Sequence, residues 1–222
     1  MRVIKRWAVG CGLLGAAVLT FAATAIPAEA QDGFGGQPAA QPAPNRPAEA
    51  AASPYGPAPT GGTADLDKLM LVERQDFGIK PTSELHTGSM HGPTPASIPG
   101  GQLITTKGLV ALLANQQVRA QVFDILGGPE LIPGAVPAVP ASQPGSFSDQ
   151  TQQEFGQFLQ QMTQGNKETP LVFYCLSIQC WMSYNASLRA INMGFQNVLW
   201  YRGGIEAWKA AGQKVQPRGQ AQ

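Results

Sequence analysis

The chain has 222 residues, with 43% hydrophobic and only 13% charged residues and a formal net charge of +1. That length allows one ordinary domain with room to spare, and the charge balance excludes a basic nucleic-acid-binding surface. The 26 glycines and 19 prolines concentrate before residue 63 and around 127–145, so the folded part is shorter than the chain.

The amino terminus reads as a signal peptide over 1–30. Arg2, Lys5 and Arg6 precede an apolar run from Trp7 to about Ile26, and Ala28-Glu29-Ala30 supplies the small-x-small cleavage pattern. An uncleaved anchor is the alternative, because the run is nearly long enough to span a bilayer. Cys11 precedes the main apolar run, which argues against lipidation there. Cleavage after Ala30 removes Arg2, Lys5, Arg6 and Glu29, turning 15 basic and 14 acidic residues into 12 and 13, a net charge of −1. The mature chain is then expected in the periplasm, with no stable membrane anchor and no nucleic-acid partner. It keeps two cysteines, Cys175 and Cys180, which an oxidising compartment allows to pair.

Residues 31–63 are rich in Pro, Ala and Gly and nearly free of charge, a composition expected of a disordered linker. Residues 64–101 read as an irregular lead-in packed on the domain. Its two histidines, His86 and His91, are expected to face solvent rather than to hold a metal, because ligand sets need three or four groups.

Regular structure is expected over 102–222. Leu103-Ile104 is a short strand, and Thr105 or Thr106 caps a helix to about Gln117 with Leu109, Leu112 and Leu113 on one face. Ala120–Ile125 reads as a strand and 127–145 as a loop. A helix starts near Ser148, a suitable cap, with Phe155, Phe158, Leu159 and Met162 at helical spacing. Leu171-Val172-Phe173-Tyr174 is a continuous apolar run, the pattern of a buried central strand, and it ends at Cys175. A loop over 176–182, a helix over 183–193 closed by Gly194, a strand over 197–201 and a short helix over 205–211 with Trp208 buried complete the chain. Strands alternating with helices imply an α/β fold, an open parallel sheet with helices on both faces.

A cysteine at the carboxyl end of a parallel strand, ahead of a helix amino terminus, stands where such sheets bind ligands and where amides favour an anion. It is either an activated nucleophile or a buried, inert thiol.

Val122-Phe123-Asp124, Ile132-Pro133-Gly134-Ala135, the strand ending at Cys175, Gly194-Phe195-Gln196-Asn197-Val198 and Gly203-Gly204-Ile205-Glu206-Ala207-Trp208 follow one another in an order that resembles rhodanese domains. The resemblance spans about residues 102–215. It implies a rhodanese-like fold and sulfur transfer through a persulfide on Cys175, with Cys180 as its neighbour. The active-site loop is then Leu176, Ser177, Ile178, Gln179, Trp181, Met182 and Ser183. Asp124, Gly203, Gly204 and Trp208 take structural roles, and no cofactor or metal is implied. Rhodaneses usually carry basic residues in this loop, whereas no Lys or Arg lies between Leu176 and Asn185. Phosphatases on the same fold need an arginine six positions after the cysteine; Trp181 stands there, which excludes that activity.

Cys180-Trp181-Met182-Ser183 and Asn185-Ala186, with Asp76-Phe77-Gly78, Pro93-Thr94-Pro95 and Ile98-Pro99-Gly100, resemble the exported PQQ-dependent catabolism-associated CXXCW motif proteins over about residues 70–212. That name has two residues between its cysteines; here there are four. The narrower resemblance implies a periplasmic PQQ-dependent dehydrogenase system or a thiol partner. Three readings stay open: sulfur or thiol chemistry at Cys175 and Cys180, a non-catalytic accessory module with a structural disulfide, and a general thiol-disulfide oxidoreductase. Trp181 and Trp200 are read as core or pocket wall, Tyr184 as packing, and Arg202 as either at the site mouth or on the surface.

Overall fold

The structure, a computed structural model, describes residues 53–56 and 65–219. The expected signal peptide, and the linker apart from Ser53–Gly56, lie outside the described residues. In chain order the elements are α1 (Leu66–Glu73), β1 (Gln102–Ile104), α2 (Thr106–Ala114), β2 (Gln121–Asp124), β3 (Glu130–Leu131), β4 (Val136–Pro137), a 3-10 turn (Val139–Ser142), α3 (Gln150–Thr163), β5 (Leu171–Tyr174), α4 (Met182–Asn192), β6 (Val198–Tyr201), α5 (Gly204–Ala210) and β7 (Gln216–Pro217).

Five strands form one parallel sheet in the order β1-β6-β5-β2-β4; β3 and β7 form a separate antiparallel ribbon. Because side chains alternate along a strand, each strand serves two layers. Phe123, Leu171, Phe173 and Val198 point to the face covered by α3 and α4, where they meet Phe155, Leu159, Ala186 and Ala190. Val122, Val172, Tyr174 and Tyr201 point to the other face, against Leu109 of α2 and Ile205, Ala207 and Trp208 of α5. β5 lies in the middle of the sheet and its four residues are fully buried, which explains the unbroken apolar run.

Several local expectations need correction. Thr105 caps α2, but the helix stops at Ala114 instead of near Gln117, and Leu113 is exposed. Asp149, not Ser148, caps α3: its carboxylate accepts from Gln152 N at 2.7 Å and is held by buried Arg189. Asp149 is thereby kept near pKa 2, first through the Arg189 hydrogen bond. The stretch 127–145 is not all loop. Val136-Pro137 adds the edge strand β4 to β2, a place a proline tolerates because its missing N–H is not needed there. The lead-in is not wholly irregular, since α1 forms on an Asp65 cap. The supposed linker also contributes Ser53–Gly56 to the packed structure, with Tyr55 against two apolar clusters. Among the described residues no helix is long and apolar enough to cross a membrane.

Candidate active site

β5 delivers Cys175 to the carboxyl edge of the sheet, and the chain then loops to α4. Cys175 and Cys180 form a disulfide across that loop, with their Cα atoms 6.4 Å apart, inside the reach of about 7 Å that a bridge requires. Each cysteine is 1% exposed. Within the loop Ser177, Ile178 and Trp181 are buried, Leu176 and Met182 half-buried, and only Gln179 is exposed. Buried Ser183 accepts a hydrogen bond from Trp200 Nε1 at 3.1 Å.

Two segments shape this loop from opposite sides. On one side α5 docks its amino terminus: Ile205 N and Glu206 N donate to the carbonyls of Cys175 and Leu176, both at 3.0 Å. Those contacts satisfy two of the orphan amides of a helix start. Gly204 makes the approach possible. It has φ +64° and no room for a Cβ, which would strike the carbonyls of Cys175 and Leu176. Gly203 is likewise pressed against the Glu73 carboxylate. Trp208 lies one turn further on, nearly buried, with Nε1 donating to Lys214 O at 2.8 Å.

On the other side the lead-in crosses the loop as a strap. His91 and Cys180 form an antiparallel bridge. Gly92 N donates to Gln179 O at 2.8 Å, Trp181 N to Met90 O at 2.9 Å, Trp181 Nε1 to Pro93 O at 3.0 Å and Thr94 Oγ1 to Ile178 O at 2.7 Å. His86 does not simply face solvent; its ring stacks on Trp181 at 4.1 Å. Tyr184 packs edge-on between Trp181 and Trp200, and its hydroxyl donates to Thr82 O at 2.9 Å.

Arg202 anchors the strap. It is neither at an open mouth nor on the surface, being 1% exposed. Nε donates to Thr94 Oγ1 (2.9 Å), one terminal nitrogen to Thr94 O (2.8 Å), and the other to Glu73 O (2.8 Å) and Gln75 O (2.7 Å). Burial lowers its pKa. The guanidinium is committed to backbone carbonyls, so it is not offered to a substrate anion. Beside it lies Glu73, fully buried, accepting from Thr106 N at 2.9 Å and Thr106 Oγ1 at 2.5 Å. Thr106 Oγ1 also meets Tyr201 Oη at 2.6 Å. Burial pushes the Glu73 carboxyl up to about 7 against the pull of those hydrogen bonds.

Asp124 stands at the end of the neighbouring strand. Its carboxylate accepts from Leu126 N and Gly127 N, both at 3.1 Å, and is paired with Arg218. Burial raises its pKa. Its oxygens are thus occupied by the turn after β2 and by the carboxyl-terminal segment.

Glu73, Thr94 and Arg202 are the site-shaping residues that sequence reasoning missed or left open. Glu73 carried a weak signal, as the last residue of an apolar, helix-capable stretch. Thr94 was visible only as part of the Pro93-Thr94-Pro95 motif of the narrower resemblance, and nothing local in it points to a buried guanidinium.

The site is thus a disulfide-bonded cysteine at the end of the central strand of a five-stranded parallel sheet with helices on both faces. Residues 109–211 match the family model described as the rhodanese-like domain. Among solved structures the chain is similar to a thiosulfate sulfurtransferase from Pseudomonas aeruginosa, with 21% identity and a TM-score of 0.41 over 54% of this chain; the chain spans only 21% of that protein's length. It is also similar to a protein of unknown function from Rhodopseudomonas palustris described as a possible tyrosine phosphatase, with 22% identity and a TM-score of 0.36 over 51% of this chain and 83% of that one. No curated protein matches the chain.

Proposed function

We propose that this is an exported, periplasmic rhodanese-like protein that works through a reversible Cys175–Cys180 disulfide, in thiol redox chemistry or sulfur transfer that serves PQQ-dependent alcohol oxidation. The observation that carries the reading is the bridge itself, which joins the cysteine at the end of the central strand to the cysteine just ahead of α4. The chemistry balances without a cofactor. A partner thiolate attacks one bridge sulfur; a mixed disulfide forms, the bridge breaks and the other cysteine leaves as a thiolate. A second thiolate then takes the partner off as a disulfide, leaving two reduced cysteines. In the reduced form the Cys175 thiolate can take a sulfane sulfur from a donor, which departs as its anion. The resulting persulfide passes that sulfur to an acceptor, or Cys180 attacks it, closing the bridge and expelling hydrosulfide.

The second reading, a structural bridge with no turnover, draws on the burial of both cysteines. Thiol trapping across a series of redox buffers separates the two. A redox-active bridge is expected above the roughly −300 mV typical of structural disulfides. A lower potential, or two free thiols under fully oxidising conditions, removes the first reading.

Thiosulfate:cyanide sulfurtransferase activity of the reduced protein is expected to be weak. No cation lies between Leu176 and Asn185, and Arg202 is spent on carbonyls. Gln179→Arg, at the exposed position of the loop, should raise the rate by about tenfold if charge limits it. High wild-type activity lost in Cys175→Ser would show that the charge argument is wrong.

Export rests on the basic start, the apolar run and Ala28-Glu29-Ala30. Amino-terminal sequencing of the mature protein should begin at or near Gln31; Met1 intact in the membrane fraction is the opposite outcome.

A further inference from the structure

Within a stretch whose composition gives no reason to fold, Ser53–Gly56 is seated on the domain. Ser53 Oγ donates to Glu206 Oε2 at 3.0 Å, and Glu206 is the residue whose amide holds the Leu176 carbonyl. The Tyr55 ring packs against two apolar clusters, one containing Ile205 and Trp208, the other Leu69, Ala210 and Ala211. Leu176 of the cysteine loop packs against the first of these. Ser53 and Gly56 also line a cleft of about 400 Å³ with Leu176, Ile205 and Glu206, at the carboxyl edge of the sheet.

The Tyr55 hydroxyl is buried and has no hydrogen-bond partner. Burial raises its pKa, so the group stays protonated. Tyr55 and Leu176, the residue that follows Cys175, pack on the same apolar cluster, so the segment lies against the start of the cysteine loop. A buried hydroxyl left unpaired is also a cost, not a gain, so the hydroxyl does not explain why the segment docks there; the ring does.

We propose that Ser53–Gly56 is a clasp over the cysteine loop, with Tyr55 filling the approach that an anionic sulfur nucleophile would use to reach the Cys175–Cys180 bridge. This rests on the reading of that bridge as reactive. The clasp must leave before a thiolate can attack, so anything that binds or cleaves the segment before α1 sets the rate at which the bridge opens.

The rate of bridge reduction by glutathione in the intact mature protein tests this. Glutathione thiolate attacks a bridge sulfur, a second glutathione completes the reduction, and the freed thiols are trapped with a maleimide and counted by mass. Tyr55→Ala removes the ring and should speed reduction by about tenfold, the factor expected when the burial of one aromatic side chain no longer opposes opening. Ser53→Ala loosens the tether and should give about threefold. Tyr55→Phe keeps the ring and should reduce at the wild-type rate. Melting temperatures confirm that each variant is folded, and Ser53→Ala carries the test if Tyr55→Ala is not. Folded variants that reduce no faster than wild type overturn the clasp. Faster reduction in a protein whose potential lies in the structural range keeps the clasp and removes the proposed function, so the two failures are distinct.

Discussion

Replacing Arg202 with Ala is expected to lower stability by about 4 kcal/mol, near the upper end for single substitutions. The side chain is buried and spans α1, the strap and β6 with four hydrogen bonds. Its loss leaves the carbonyls of Glu73, Gln75 and Thr94 buried or half-buried without their donor, together with a cavity the size of a guanidinium. Arg202→Lys keeps a charge but cannot reproduce the fork to three carbonyls and a hydroxyl, so about half of the loss should remain. Urea unfolding monitored at the tryptophans measures both. A loss under about 1 kcal/mol for Arg202→Ala would mean that the strap is held without it. Because Thr94 also donates to Ile178 O, the same variant should loosen the cysteine loop.

Stability should fall as pH rises from about 4.5 to about 7, because of Glu73. Burial lifts its carboxyl from an ordinary value of 4.5 to about 7 in the folded chain. The folded state therefore holds a proton that the unfolded state has released over that window. The contribution is fully present below 4.5 and is lost as pH passes through 7. The difference of about 2.5 units corresponds to about 3 kcal/mol. Glu73→Gln removes the titration, so its unfolding free energy should be flatter than wild type between those pH values. Parallel slopes for wild type and Glu73→Gln would show that Glu73 is ionised throughout. The group matters to the site because it presses on Gly203, beside the Gly204 turn that docks α5 on the cysteine loop. A pH-dependent loosening there should also show as faster bridge reduction above pH 7, beyond the rise due to the reductant's own ionisation.

The features legible in the sequence are those set by local chemistry and strand periodicity. Leu171–Tyr174 announced a central strand because a strand buried on both faces has no polar side to show. Asn197–Tyr201, the Gly203-Gly204 turn and buried Trp208 followed from similar short-range patterns, and two cysteines five positions apart made a bridge geometrically accessible. Less visible were features in which a residue answers to a distant neighbour. Val136-Pro137 reads as loop until β2 provides an edge to join. Ser148 and Asp149 are both acceptable caps, and Arg189 from α4 favours Asp149. The conversion of Arg202 from a surface or substrate-facing cation into the anchor of the strap depends on contacts with residues 73–94, more than a hundred positions away. The same holds for Tyr55, which composition assigns to a tether and the tertiary structure seats against the clusters of Ile205 and Trp208 and of Leu69 and Ala210. Sequence alone thus determined the four strands β1, β2, β5 and β6 of the sheet and the cysteine at its edge, because those depend on patterns a few residues long. Only the tertiary structure decided that the cysteine loop is strapped and covered, because buried polar groups find their partners in space rather than along the chain.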